Sequence, residues 1–173
     1  HNLFFDKDFT AFGNDIYEDP KWPEEPLFYV CAPSKTDKTV APEGKENLFL
    51  LMPCAPDLEG SDALHDKYLQ MMLDRISDFT GEEISEKDIL YKRTFAHKEF
   101  KNRYNAYKGN AYGLANTLKQ TAVFKPKMMN SKIKNLVYAG QLTVPGPGVP
   151  PSLISGKLAS ELTIKNAKKH SYA

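Results

Sequence analysis

The sequence has little of what marks several large protein classes. It carries two cysteines, Cys31 and Cys54, in 173 residues, which excludes a disulfide-stapled scaffold. Long apolar runs are missing. Runs such as Leu48 to Met52 fall far short of the ~18 residues that a membrane-spanning helix needs. An excess of one charge sign is missing too, because 23 Lys and Arg face 22 Asp and Glu for a net charge of +1. With no overall field to draw phosphate backbones, nucleic acid is not expected as a partner. No charged segment followed by an apolar stretch marks a signal peptide. Internal repeats, low-complexity tracts and a metal-ligand pattern are also absent.

What is present suits a packed core: 41% of residues are hydrophobic and 12% aromatic, in a chain about as long as one ordinary domain. Both cysteines lie in strand-like apolar runs, read as buried free thiols that fit a reducing, cytoplasmic setting. The chain opens on His1-Asn2-Leu3-Phe4-Phe5, apolar at once and without an initiator Met. We read His1 as a cut end and expect a missing N-terminal part.

Leu3 to Phe5 reads as a short strand, and Asp8 to Glu18 as a helix with Phe12 and Ile16 on one face. Pro20, Pro23 and Pro26 around Trp22 break any regular element, since each lacks an N–H and restrains the residue before it. Leu27 to Ala32 and Asn47 to Pro53 read as two strands of one sheet that can pair antiparallel. Leu64, Tyr68, Met72, Ile76 and Phe79 recur at helical steps, widened by Leu69 and Leu73. They predict a helix over 61–79 with Ser61 or Asp62 as N-cap and Thr80-Gly81 as stop. Ser85 carries a capping signal, Ile89 to Phe95 reads as a strand, and Glu99 to Tyr104 as a helical turn. Asn105 to Asn116 is a loop dense in Tyr, Gly and Asn, either a cavity wall or packed tyrosines of an ordered loop.

The end of the chain differs. Asn135 to Ala139 reads as a buried strand, Gly140 to Pro151 as a Gly/Pro turn, Ser152 to Asn166 as a helix, and Lys165 to Ala173 as a frayed basic end. A strand and turn opening a helix aim backbone N–H groups and a positive dipole end at one spot, suited to a polar or anionic ligand. The same segment also reads as plain tight packing: Ser152, Ser155, Gly156, Ala159 and Ser160 form a small-residue stripe that permits close backbone approach. His65 reads as an ordinary exposed histidine, and Glu99, His97 and Arg103 as groups for surface ion pairs. No catalytic acid or base is assigned.

Three segments carry a resemblance. Ala139, Gly140, Thr143, Pro145, Gly146, Gly148 and Pro150, within VYAGQLTVPGPGVPPSLIS, resemble the C-terminal flavin-binding signature of the phytoene desaturase family. Glu99-Phe100, then Asn105-Ala106-Tyr107, Gly109, Ala111-Tyr112 and Gly113, is similar to a second block of that family, and Pro42-Glu43-Gly44 before an apolar strand to a third. The N-terminal GxGxxG fingerprint of the family is absent from these residues, so the chain looks like the C-terminal part of such an enzyme.

The resemblance implies FAD as cofactor, a carotenoid as substrate, and introduction of double bonds by hydride transfer to the flavin. It implies cofactor contacts at Gly140, Gln141, Gly148, Val149, Pro150 and Ser152. Gln141 stands where related flavoproteins often carry an acid. Apolar substrate contacts are implied at Phe100, Tyr107 and Tyr112. The implied fold is α+β: a mixed or antiparallel sheet in a partial substrate-binding region, 1–134, and in 135–173 the final strand and helix of a Rossmann-like FAD-binding domain. Peripheral membrane contact, to which Lys165, Lys168 and Lys169 could contribute, and a homo-oligomer are further implications. Two alternatives stay open: an apolar-ligand-binding or interaction module without redox chemistry, and a related flavoprotein that oxidises or isomerises another polyene.

Overall fold

The computed structural model describes residues 1–115 and 117–170. Asn116, at the end of the tyrosine-rich loop, and 171–173, at the end of the expected basic tail, lie outside the described residues, as do the side chains of Lys169 and His170. Two compact units divide the chain, His1–Asn110 and the segment beginning at Ala111.

In the first unit, three short strands pair antiparallel in the order β1 (Asn2–Phe4), β2 (Phe28–Cys31), β3 (Phe49–Leu51). The register sets Phe4 opposite Phe28 and Val30 opposite Leu50, so strand alternation delivers these four side chains to one face. Phe4 and Phe28 stack with ring centroids 4.5 Å apart. Against this face lies helix α2 (Asp62–Thr80), whose Met72 and Ile76 join Phe28 and Val30 in the core. The ends of α2 follow the sequence chemistry: Ser61 Oγ accepts the Leu64 N–H at 3.2 Å, and Gly81, at φ +74°, turns the chain out of the helix. Tyr68, Met72, Leu73 and Ile76 are buried as the periodicity requires. Phe79 is not. It is 80% exposed and meets only the edge of the Phe4 ring, because the stripe runs on past the end of the small sheet.

Helix α1 (Phe9–Tyr17) starts at Asp8, whose carboxylate accepts from the N–H groups of Thr10 and Ala11, and it buries Phe12. The proline segment between α1 and β2 is irregular yet deeply buried at Pro23, Pro26 and Leu27. Prolines suit such a buried strap because they bring no N–H that would need a partner, only carbonyls. Those carbonyls are taken by α2: Tyr68 donates its hydroxyl to Pro23 at 2.7 Å, and Arg75 donates to Pro26 while its guanidinium lies over the Phe28 ring.

Ile89 to Phe95, expected as a strand, is irregular and unpaired, with a bend at Leu90 and with Leu90 and Tyr91 exposed. A strand exists only through a neighbour, and among the described residues no sheet edge runs beside this one. The capping signal at Ser85 is met by a box with Asp88, and the expected helical turn is helix α3 (His97–Tyr104).

The second unit holds helix α4 (Val149–His170), which begins earlier and ends later than the expected 152–166, and a series of turns. The strand expected over Asn135 to Ala139 is reduced to one antiparallel bridge, Val137 with Met129, held by the Asn130 N–H to Leu136 and the Tyr138 N–H to Met128. The opposing segment is too short to extend the ladder. Among the described residues the fold is α+β with one small antiparallel sheet and four α-helices.

Two glycines separate conformational strain from steric strain. Gly81 has a left-handed φ with open space around it, whereas a Cβ on Gly109, also left-handed at +66°, would sit 2.8 Å from both Cα and O of His97. Gly81→Ala should cost about 1 kcal/mol of stability, the ordinary left-handed penalty. Gly109→Ala should cost at least twice that, because backbone must move as well. Urea denaturation of both variants measures the difference, and equal losses would contradict the packing described.

Candidate functional site

The Gly/Pro turn is tied to α4 by a closed set of hydrogen bonds. The Gly140 N–H donates to Ser155 Oγ at 2.9 Å, and the Thr143 hydroxyl donates to the Gly140 carbonyl at 2.9 Å. The two hydroxyl oxygens lie 2.8 Å apart. With the Thr143 proton committed to Gly140, Ser155 supplies the remaining proton, so each member of the ring both donates and accepts and each bond polarises the next. The Thr143 N–H also reaches the Gly140 carbonyl at 3.1 Å. Ser155 is 0% exposed and Thr143 3%, so the two hydroxyls are buried, while Gly140 is half-buried.

Above this anchor the chain passes Gly146 and Gly148, both at positive φ, and enters α4. An ordinary helix start presents four N–H groups without internal partners. Here Pro150 and Pro151 bring none, and the Ser152 N–H is donated to the Gly148 carbonyl at 2.9 Å. The N–H groups of Gly148 and Val149 remain, with no hydrogen bond among the described residues. Val149 is 77% exposed, and Gly140, Gln141, Pro150 and Ser152 are also accessible to some degree, so a ligand can reach the turn. Ser152 therefore offers its hydroxyl, while its N–H serves the helix. A Cβ on Gly140 would meet nothing within 4 Å, and one on Gly148 would touch the Pro151 ring at 3.3 Å. Gly113, from the second sequence block, packs directly on Leu142, so the two blocks meet within this unit.

Charge favours an anionic or electron-rich ligand here. From residue 100 to residue 160 there is no Asp or Glu, and the segment from Ala111 on carries nine lysines and one acid, Glu161. The near-neutral total conceals this segregation. The sequence held the signal, but only when read in segments.

The first-unit part of the second block is built differently. Phe100 is half-buried, with its ring 4.8 Å from Phe95 and 6.1 Å from Tyr104. Tyr107 is exposed with Lys108 over its ring, and among the described residues it makes no ring contact with Phe100. Tyr112, also exposed, belongs to the other unit.

The expectation of surface ion pairs at Glu99, His97 and Arg103 is corrected at each position. Glu99 caps α3 by accepting the Ala96 N–H at 3.0 Å, and that hydrogen bond holds its carboxyl below the usual range. Arg103 lies over the Phe95 ring. His97 is buried, with Nε2 donating to the Ala55 carbonyl at 2.7 Å, Nδ1 without a partner, and the Trp22 ring edge-on at 5.7 Å. His65, expected exposed, is half-buried beside Trp22 with its Nε2 enclosed and unpartnered. Cys54 Sγ is 3.9 Å from His97 Nε2, but burial pushes the thiol pKa up, so the pair supplies no thiolate nucleophile. Both cysteines are free and half-buried, and among the described residues no cluster of metal-binding side chains forms.

No family model matches the chain. Several curated proteins match it over nearly its whole length. It is 42% identical over 166 residues, 96% of the chain, to a carotenoid 3,4-desaturase of Haloarcula japonica. It is 33% identical over 168 residues to a zeta-carotene-forming phytoene desaturase of Myxococcus xanthus. To a 4,4'-diapophytoene desaturase of Staphylococcus haemolyticus it is 30% identical over 172 residues. Over nearly its whole length the chain is similar to carotenoid and phytoene desaturases. It spans about a third of the length of these relatives, 33%, 31% and 34% respectively.

The hydrogen-bond ring makes a direct prediction. Ser155→Ala leaves the Gly140 N–H without its buried partner and should cost about 1–3 kcal/mol of stability. Ser152→Ala, at an exposed site whose N–H bond is untouched, should stay within ~0.5 kcal/mol. Denaturant melts of the two variants measure the contrast, and similar losses would contradict a buried Ser155 hydroxyl.

Proposed function

We propose that this chain is part of an FAD-dependent carotenoid desaturase, supplying the element that borders the flavin and part of the wall that holds the polyene. The observation that carries the reading is the coincidence of two things. The residues matched to the family's flavin signature form a rigid, ligand-accessible turn with two unspent N–H groups, and the relatives that match across 93–98% of the chain are named for carotenoid desaturation.

The turn fits the electron-rich edge of a flavin. Gly148 and Val149 offer their N–H groups at the positive end of α4, Ser152 its hydroxyl and Gln141 its amide. Gly140 leaves its open side free for close approach, and Pro150 shapes the turn without donating. Bound FAD would supply the two-electron acceptor needed to turn a CH2–CH2 unit into a double bond. The protein's share is to hold that group, stabilise added negative charge at its edge and exclude water. Phe100, Tyr107 and Tyr112 are proposed for substrate contact because a hydrocarbon offers no hydrogen bonds and is held by apolar surface alone.

In this reading 1–134 serve the substrate and 135–173 complete a Rossmann-like FAD-binding domain whose larger part lies in further sequence of the same enzyme. The fragment alone is then inactive. No described helix is long and apolar enough to cross a membrane, and peripheral contact from the cytoplasmic side, along with self-association, remains part of the proposal.

Purification of the protein with whatever flanking sequence its gene encodes, followed by absorption spectroscopy and incubation with carotenoid-loaded liposomes, tests the function. The expected result is bound flavin and a product with a longer conjugated chain. Gly148→Val should weaken flavin binding at least tenfold, because a β-branched side chain is excluded at φ +115° and would press on Pro151. Substrate returned unchanged by a flavin-free protein would overturn the reading.

A further inference from the structure

A single exposed leucine needs no explanation, but a group of exposed apolar side chains on ordered backbone does. Within 117–127 the second unit exposes Leu118 at 87%, Val123 at 88% and Phe124 at 68%. The backbone that carries them is held by its own hydrogen bonds. The Gln120 N–H closes one turn on the Thr117 carbonyl at 2.8 Å, and the Gln120 side chain accepts the Ala115 N–H at 3.0 Å. A 3-10 turn then spans Ala122–Phe124, entered through Ala122 at a left-handed φ of +48° and closed by the Phe124 N–H on the Thr121 carbonyl at 3.0 Å. A non-glycine residue persists in that region only where its surroundings over-determine it. Directly after the turn the chain goes back inside: Lys125 and Met128 are buried, and the Met128 carbonyl accepts the Tyr138 N–H at 2.7 Å. The stem is thus anchored, and the tip presents Val123 and Phe124 outward.

The charges beside the tip decide what it fits. Lys119 and Lys127 flank the apolar residues and are exposed, as are Lys132 and Lys134 further on, and no Asp or Glu occurs between residues 100 and 160. Lysine is depleted where proteins meet proteins, because a strongly hydrated ammonium loses water there. An anionic bilayer takes the same pattern without that cost. Its acyl chains accept the apolar tip, and its headgroups meet the ammonium groups while the lysine stems lie along the apolar boundary. A carboxylate at that level would be repelled by the same headgroups.

We propose that 117–127 is a membrane-docking loop, which inserts Leu118, Val123 and Phe124 into the surface of an anionic lipid bilayer and sets Lys119 and Lys127 on the headgroups. The inference rests on the peripheral membrane contact in the functional reading above and gives that contact a place. A hydrocarbon substrate partitions into bilayers, so docking brings the protein to its source.

The test mixes the protein with its flanking sequence with vesicles of phosphatidylcholine alone, or of equal parts phosphatidylcholine and phosphatidylglycerol, and reads the bound fraction by flotation. Wild type should bind the anionic vesicles about tenfold more tightly, and salt should weaken that binding. The double variants Val123→Ser with Phe124→Ser, and Lys119→Gln with Lys127→Gln, should each lose about tenfold in affinity for the anionic vesicles. Phe124→Trp keeps an aromatic tip and carries an indole into the bilayer, so lipids brominated on their acyl chains should quench the emission it adds to that of wild type. This conservative variant decides should the serine variant fail to fold, and added emission that brominated lipids leave untouched overturns the proposal. Serine variants that lose stability while binding vesicles as before show a tip covered by further protein and also overturn it. Folded serine variants that bind like wild type overturn the loop's role and leave membrane contact in the functional reading, whereas wild type that binds neither vesicle removes both. The flavin reading is judged separately, by the absorption spectrum of the same sample.

Discussion

The ring of hydrogen bonds among Gly140, Thr143 and Ser155 is the constraint on which the candidate site depends. Three glycines and four prolines between residues 140 and 151 cannot hold a shape by side-chain packing, since glycine has nothing to pack and proline contributes no donor. Ser155, nearly two turns into α4, supplies what they lack: a buried hydroxyl that takes the Gly140 N–H and engages Thr143. Because its two hydroxyls are buried, removing either leaves a polar group unsatisfied, and the turn is held in one conformation. The N–H groups of Gly148 and Val149 are then presented by a fixed frame, which is the condition for electrostatic preorganisation.

The first unit solves a related problem with different chemistry. Its small sheet cannot close a core alone, and the buried proline strap before β2 completes it by offering carbonyls to α2 through Tyr68 and Arg75. Trp22, within the same strap, donates to the Glu59 carbonyl and presents its ring to Tyr68, His65 and His97. His97 in turn joins Ala55 to the base of α3 and backs onto Gly109. The block that resembles the family's second motif is therefore anchored from within by a histidine, while its tyrosines face outward.

Local signals were legible in the sequence where the structure is local. Ser61, Ser85 and Gly81 mark their caps, and the three- and four-residue spacing of α2 marks its buried face. Signals that need a distant partner were not. Ile89 to Phe95 and Asn135 to Ala139 have strand-like composition, but pairing is a property of two segments, and each lacks a partner long enough to form a ladder. Phe79 continues a helical stripe that the sheet is too narrow to cover. Within the candidate site, the Gly/Pro turn and its glycines could be named from sequence because their conformational demands are intrinsic. Ser155 was visible only as a small residue and His97 only as a polar one, because burial is decided by the rest of the fold. The cationic character of the second unit was present in the sequence throughout, hidden by averaging against an acidic first unit.

The central claim is that the turn between Gly140 and Ser152 receives the flavin. Hydrogen–deuterium exchange resolved to single amides, on the protein with its flanking sequence and with or without FAD, tests it most directly. The account predicts that FAD slows exchange at Gly148 and Val149, while the amides of Gly140 and Thr143, locked by the ring, exchange slowly in both states. Saturating flavin that leaves Gly148 and Val149 exchanging at their unliganded rates would contradict it.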